Sequence, residues 1–418
     1  MPIATNAPQG ESSVDTTVTA DQIKPMLENL AAFMPRYTER LYDRRQVPYA
    51  NIYVRGLLTD LERKTIEPIA DQAQLQDPRP LQRFVGAGRF EDTLLIAELQ
   101  SHVAEEIGDP AGVLVGDPSC FEKKGEDSVG VQRQWNGRCG KVDNCQKGCF
   151  LGYVSPGGAA LIDRRLYLPQ SWVENSKARE KCHVPPDVKF RTAVEVTMDM
   201  IDAATVPYEW FVGDEDFGRP AGFRAGLRDR KKLYAIEIAS NTHVRPVRQD
   251  RRGGAVAGTE QRVSDLARTL KRGSWNRVFV KAGTKEPLYV QAADVVVKTK
   301  AEGARTFDVD ERLIVIRTMG PKVEYKYVIT NAKRPSISIG AIVRAILARH
   351  VIEELFERAK GESGLAHYEV RSWVGWHHHM TFALLASWFL ELERRRFRDC
   401  SSDDNGAAHR ASHRVAVA

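Results

Sequence analysis

Apolar residues recur at three- and four-residue spacing through DQIKPMLENLAAFMPRY, behind an aspartate suited to capping a helix. IYVRGLLTDLERKTIEPIADQ and FEDTLLIAELQSHVAEEI continue the rhythm, which predicts a helical domain over residues 21–108. The period then changes. AGVLVGD, Ala111 to Asp117, is a short apolar run closed by an acid and predicts a central strand. NCQKGCFLGYVSPGGAALIDRRLYLP holds two strand-like runs around Ser-Pro-Gly-Gly, the pattern of a hairpin. TAVEVTMDMIDAATVP reads as a helix, YEWFVGD as another short strand closed by an acid, Gly218 to Arg230 as a helix and LYAIEIAS as a strand. The order β-β-β-α-β-α-β predicts an α/β fold, one mixed sheet with helices on its faces, over 109–242. Residues 243–335 mix basic, Gly-rich and strand-like segments such as RLIVIRTM and EYKYVITN, and read as a β-rich insertion. Helices resume at about Ser336, so residues 336–396 complete the core. The polar segments 1–20 and 397–418 predict a disordered leader and a disordered tail.

Composition narrows the function classes. The 418 residues leave room for two or three domains with proper cores. Sixty-one Lys and Arg against 55 Asp and Glu give a net charge of +6, which permits a polyanionic partner. Six cysteines without paired CxxC spacing suggest free thiols in a reducing compartment, not a disulfide framework or a zinc site. The longest apolar run, MTFALLASWFL, suits a buried helix and is too short to span a bilayer. MPIATNAPQGESS has no charged start followed by an apolar stretch, so a cytoplasmic protein with no membrane partner is expected.

Candidate chemistry lies in three acids. Asp117 and Asp214 close two predicted strands, at the sheet edge where ligands gather in open α/β folds, although Gly-Asp is also a common turn. The third is in RHVIEELFERAK. At about 100° per residue, Arg349, Glu353 and Lys360 share an arc of roughly 40°. The stripe borders the apolar face of Ile352, Leu355, Phe356 and Ala359. A salt-bridged surface helix is one reading of it. The other is an active-site edge: three carboxylates can hold two hard divalent cations.

These segments resemble insertion-sequence transposases of the DDE superfamily, whose catalytic core has the ribonuclease H fold. The run from Gly116 to Val154 is similar to the family block around the first acid: Asp117 and Ser119, then Lys123, Lys124 and Gly125, then Gly140, Lys141, Asn144, Cys145 and Gln146. FVGDEDFG resembles the second block, with Asp214 as its acid. Arg349, Glu353 and Lys360 match a third block of the form Tyr-x2-Arg-x3-Glu-x6-Lys. Ile346 stands at the Tyr position, Pro118 where many relatives have another acid, and Cys120 at a usual Gly.

The resemblance implies an enzyme with Asp117, Asp214 and Glu353 as catalytic and metal-binding residues for two Mg²⁺, with Mn²⁺ as a substitute. Its partner would be double-stranded DNA, at transposon ends and target, with a homodimer in the complex and a bacterial, nucleoid-associated location. Lys123, Lys124, Arg349 and Lys360 would contact phosphates, the two lysines of the turn having a solvated reading as well. Glu369 in HYEVRSW is a weaker rival to Glu353, because it lacks the flanking Arg and Lys. Trp275 would stack on an extruded base or simply pack. His377, His378 and His379 are consecutive and cannot all face one metal from a regular helix. Arg36, Arg40, Arg44, Arg45 and Arg55 either grip DNA or form an ordinary helical surface. A stand-alone metal-dependent nuclease and a non-catalytic DNA-binding relic are the alternatives to a transposase.

Overall fold

The computed structural model describes residues 20–137, 139–250, 252, 254–281, 288–320 and 322–404. Most of the expected leader, and residues 405–418 of the expected tail, lie outside them. The N-terminal helices are α1 Ala20–Phe33, α2 Val47–Leu57, α3 Arg79–Ala87 and α4 Asp92–Ile107, with shorter turns between. Strands β1 Val113–Glu122, β2 Gln132–Asn136, β3 Lys141–Ser155 and β4 Gly158–Leu166 follow. Helix α5, Ala193–Ala203, leads to strand β5 Trp210–Gly213, and helix α6, Ala221–Asp229, leads to strand β6 Leu233–Glu237. Helix α5 starts at a capping box in which Thr192 and Glu195 satisfy each other's backbone N–H.

Across the sheet the core order is β4-β3-β1-β5-β6. The first three strands are antiparallel, and β5 and β6 run parallel to β1. This is the mixed sheet that the strand order predicts, in the ribonuclease H-like arrangement that the resemblance implies. Two details differ from the sequence reading. Strand β1 does not stop at Asp117: it stays paired with β3 to the Glu122–Cys145 rung. Antiparallel pairing continues there because β3 is 15 residues long and carries a partner for every residue of β1. The short strand β2 went unpredicted, since QRQWN lacks an apolar run, and it pairs with the polar start of β3.

The insertion is β-rich but not a separate module. It contributes β7 His243–Gln249, β8 Ala255–Ala257, β9 Gln261–Arg262, β10 Trp275–Lys281, β11 Leu288–Lys300, β12 Phe307–Thr318 and β13 Tyr325–Thr330. Strand β13 pairs with β6 through Val328–Glu237, Ile329–Ile236 and Thr330–Ala235. The 13 strands of the described residues therefore form one sheet, ordered β2-β3-β1-β5-β6-β13-β12-β11-β7-β8 along its main path. A buried carboxylate fastens the junction. Glu311 of β12 accepts from Arg224 at 3.1 Å and Arg228 at 3.3 Å, both on α6. Tyr234 of β6 and Thr299 of β11 donate to it as well.

Helices α7, Ile339–Glu362, and α8, Trp373–Asp404, finish the chain. Ser338 caps α7, its Oγ accepting from the Ala341 N–H at 3.2 Å. Ile342, Val343, Ile346, Ile352, Leu355, Phe356 and Ala359 are the buried face of α7, which packs across β1, β3, β4, β5 and β6. Gly152 of β3 makes this close approach possible: a Cβ there would lie 2.4 Å from the Ile352 side chain. Helix α8 packs against β4 on one side and α1, α2, α3 and α4 on the other, so one continuous core joins helical region and sheet. It runs past the expected boundary at Phe397 to Asp404. Arg394 pairs with Glu391 one turn earlier at 2.7 Å, and Arg396 with Glu393, which supports the last turns before that boundary.

Candidate active site

The geometry begins with strand pairing. The last parallel rung between β1 and β5 is Val115–Val212. Asp117 lies two residues beyond it on β1, and Asp214 immediately follows β5. The aspartates thus sit side by side where the parallel pair separates. Asp214 also caps the short helix Glu215–Gly218, its Oδ1 accepting from the Asp216 N–H at 3.0 Å. Helix α7 brings the third group. Arg349, Glu353 and Lys360 are all part-buried, at the edge of its packed face, as the helical stripe predicts.

Arg349 is the centre of the charge pattern. Its Nη2 lies 3.0 Å from Glu353 Oε1, and its Nη1 lies 3.3 Å from Glu237 Oε2, at the end of β6. Burial opposes its charge, but Glu237, Glu353, Asp117 and Asp214 outweigh burial and hold it protonated. The Nε–H is buried and finds no acceptor among the described residues. Lys360 Nζ donates to Ser119 Oγ at 2.7 Å, on the same face of β1 as Asp117.

Asp117 is pushed up to about 7, first by burial, then by Asp214 and Glu353, with Arg349 and Lys360 opposing. Asp214 is raised as well, by burial and then by Asp216. Glu353 is lowered, chiefly by its contact with His350, whose Nδ1 lies 3.1 Å from Oε2. Two neighbouring carboxylates pushed toward protonation lack positive charge. An all-oxygen donor set in that condition fits a hard divalent cation. The fit is incomplete in the third acid. Among the described residues no three acidic, His or Cys side chains are arranged as a ready ligand shell, and both Glu353 oxygens are engaged by Arg349 and His350. The site opens onto a cavity of about 370 Å³, with Asp214, Glu237 and Arg349 on one side and Tyr325, Lys326 and Tyr327 of β13 on the other.

Other sequence candidates lie elsewhere. Glu369 is exposed and pairs with Arg63 at 2.5 Å. Lys123 turns inward: its Nζ sits 3.4 Å from the Tyr368 ring centroid and donates to the Tyr368 carbonyl at 3.3 Å, which speaks against the phosphate contact expected of it. Burial lowers its pKa to about 8. Lys124 is exposed on the turn. Trp275 packs under the Arg317 guanidinium, 3.8 Å from its centroid, with Tyr325 at its edge. The three consecutive histidines face three ways: His377 Nδ1 to Trp373 O, His378 Nδ1 to Val85 O and His379 Nδ1 to Tyr53 Oη, so they serve packing. Arg36, Arg40 and Arg45 are tied to Glu98, Glu105 and Asp43, whereas Arg44 and Arg55 are exposed. The five described cysteines are free thiols, and no described helix is long and apolar enough to cross a membrane.

Sequence reasoning missed Glu237. The signal was present: LYAIE is an apolar run closed by an acid, as are the runs ending at Asp117 and Asp214.

Residues 36–287 match a family described as DDE superfamily endonuclease. The match contains Asp117, Asp214 and Glu237 and ends before α7. Among solved structures, the cryo-EM structure of the piggyBac transposase synaptic complex with hairpin DNA is 9% identical, with a TM-score of 0.40. That alignment covers 84% of this chain and 66% of that one, so the chain spans just under two thirds of it. No curated protein matches.

Proposed function

Since the chain belongs to the DDE superfamily of endonucleases, we propose that it is a DNA transposase. It would hydrolyse phosphodiesters at the ends of a mobile element and join the freed 3′-hydroxyl to target DNA. The observation that supports this best is the convergence of Asp117 and Asp214, from adjacent parallel strands, with Glu353 from the helix across them, around the single guanidinium of Arg349.

Asp117, Asp214 and Glu353 would hold two divalent cations, Mg²⁺ or Mn²⁺. When bound, these supply an activated water and Lewis-acid stabilisation of the leaving oxygen. The chain's own groups do the remainder. Lys360, steadied by Ser119, and Arg349, with its free Nε–H, present positive charge to the non-bridging oxygens of the scissile phosphate. Both are part-buried, so those contacts form away from bulk water and are strengthened by it. Exposed Lys124, Arg44 and Arg55 can add phosphate contacts that position duplex DNA.

Asp117→Asn, Asp214→Asn and Glu353→Gln are each expected to abolish divalent-dependent cleavage of element-end DNA while gel-shift binding persists. Glu369→Gln is expected to retain cleavage. Full cleavage by any of the first three, or equal loss with the fourth, refutes the assignment. The family's own description as endonuclease favours a second reading, a nuclease that cuts without joining. A strand-transfer assay with pre-cut ends separates the two, joined product appearing only with a transposase.

A further inference from the structure

Arg349 is in contact with Glu353, the acid proposed as third metal ligand. Its Nη2 holds Glu353 at 3.0 Å, and the same guanidinium holds Glu237 at 3.3 Å. Glu237 is well placed to keep its end of the contact. It is the last residue of β6, paired across the sheet with Val328, and its other oxygen receives Lys326 Nζ of β13 at 3.1 Å. Its side chain is 18% exposed, against 42% for Glu353. One acid is therefore fixed by two cations from different elements and by the sheet, while the other is the more exposed and is held only within its own helix, by Arg349 and by His350 at 3.1 Å.

From this asymmetry we infer that Arg349 is an internal counter-ion for the third acid, and that Glu237 is the positioning residue that retains Arg349 when Glu353 is released toward a divalent cation. The inference rests on the transposase reading of the site. Without Glu237, a part-buried guanidinium leaving Glu353 would have no carboxylate in contact, and burying an unpaired charge is costly. With Glu237 in place the exchange leaves every charge answered, and Arg349 stays aimed at the cleft. Glu237 acts here through Arg349 and is not itself a ligand.

The test is a double-mutant cycle read by Mn²⁺ titration calorimetry on the full chain without DNA. Arg349→Gln is expected to tighten Mn²⁺ binding roughly fivefold, because a competitor for Glu353 is gone. Glu237→Gln is expected to weaken it by a similar factor, and to do so by less than about twofold when Arg349→Gln is already present. An undiminished effect of Glu237→Gln in that background would make Glu237 a ligand or a distant charge, and overturns the proposal. So does unchanged or weaker Mn²⁺ binding by Arg349→Gln. Thermal melts of the metal-free protein give an independent arm. Glu237→Gln combined with Glu353→Gln should lower the melting temperature by more than the sum of the single changes, since only the pair strips Arg349 of both partners. Strict additivity overturns the counter-ion role. If the wild-type chain binds no Mn²⁺, the metal reading of the site fails, while the melts still decide whether Arg349 links the two acids.

Discussion

Asp117 illustrates how a residue suited to chemistry is unfavourable for folding. Its carboxyl is pushed up to about 7 by burial and by its acidic neighbours. The folded chain therefore holds this proton more tightly than the unfolded chain, whose value is about 4. The stability due to protonation is complete below about pH 4 and is lost as pH rises through 7. Asp117→Asn, which needs no proton to be neutral, should stabilise the metal-free protein at pH 8 by up to about 4 kcal/mol. It should do much less at pH 5. Denaturant melts at the two pH values check this, and an equal gain at both would contradict it. The same proton must leave before a cation binds, so Mn²⁺ affinity should rise from pH 6 to pH 8.

At the scale of elements, the strongly periodic segments were legible. The helical stripe of Arg349, Glu353 and Lys360 was visible because a helix repeats its faces every 3.6 residues, and the structure brings all three to one edge. The acids closing β5 and α7's polar edge needed no tertiary information. The continuation of β1 beyond Asp117 did, because Pro118 and Ser119 look like a turn until β3 supplies partners for them. The inward turn of Lys123 was equally hidden, since its ring partner Tyr368 lies 245 positions away. Helix α8 carries its own pH dependence. Burial lowers His377 to about 4 and His379 to about 3, and lowers His378 as well. Below about pH 6.5 the unfolded chain takes up protons that these folded histidines refuse, so stability should fall as pH drops from 6.5 toward 5. The slope is at most about 1.4 kcal/mol per pH unit for each histidine. A melting temperature that holds steady over that range would show that the histidines are not the acid-sensitive element.

On the scale of the whole molecule, the expected β-rich insertion is present and extends the sheet of the core. The strand-rich composition of 243–335 was readable, but composition says nothing of which edge a strand joins. The joint depends on Glu311, whose side chain is fully buried and receives donors from α6, β6 and β11. Glu311→Gln leaves Arg224 and Arg228 without their carboxylate and should cost about 3–5 kcal/mol. Differential scanning calorimetry should show the melting temperature falling by several degrees, with the core and the insertion still unfolding in one transition. Two separate transitions in the wild type would mean that the shared sheet is not a cooperative unit.

A hydrogen-bonded ladder that runs unbroken from β3 through β6 to β11 has little give along its length. Whatever lies against the far strands is held at a set spacing from Asp117 and Asp214, as marks are held on a ruler. Should the chain act on DNA as proposed, a duplex touching both places would have to suit that spacing, and any energy of deforming it would enter the choice of sequences cut.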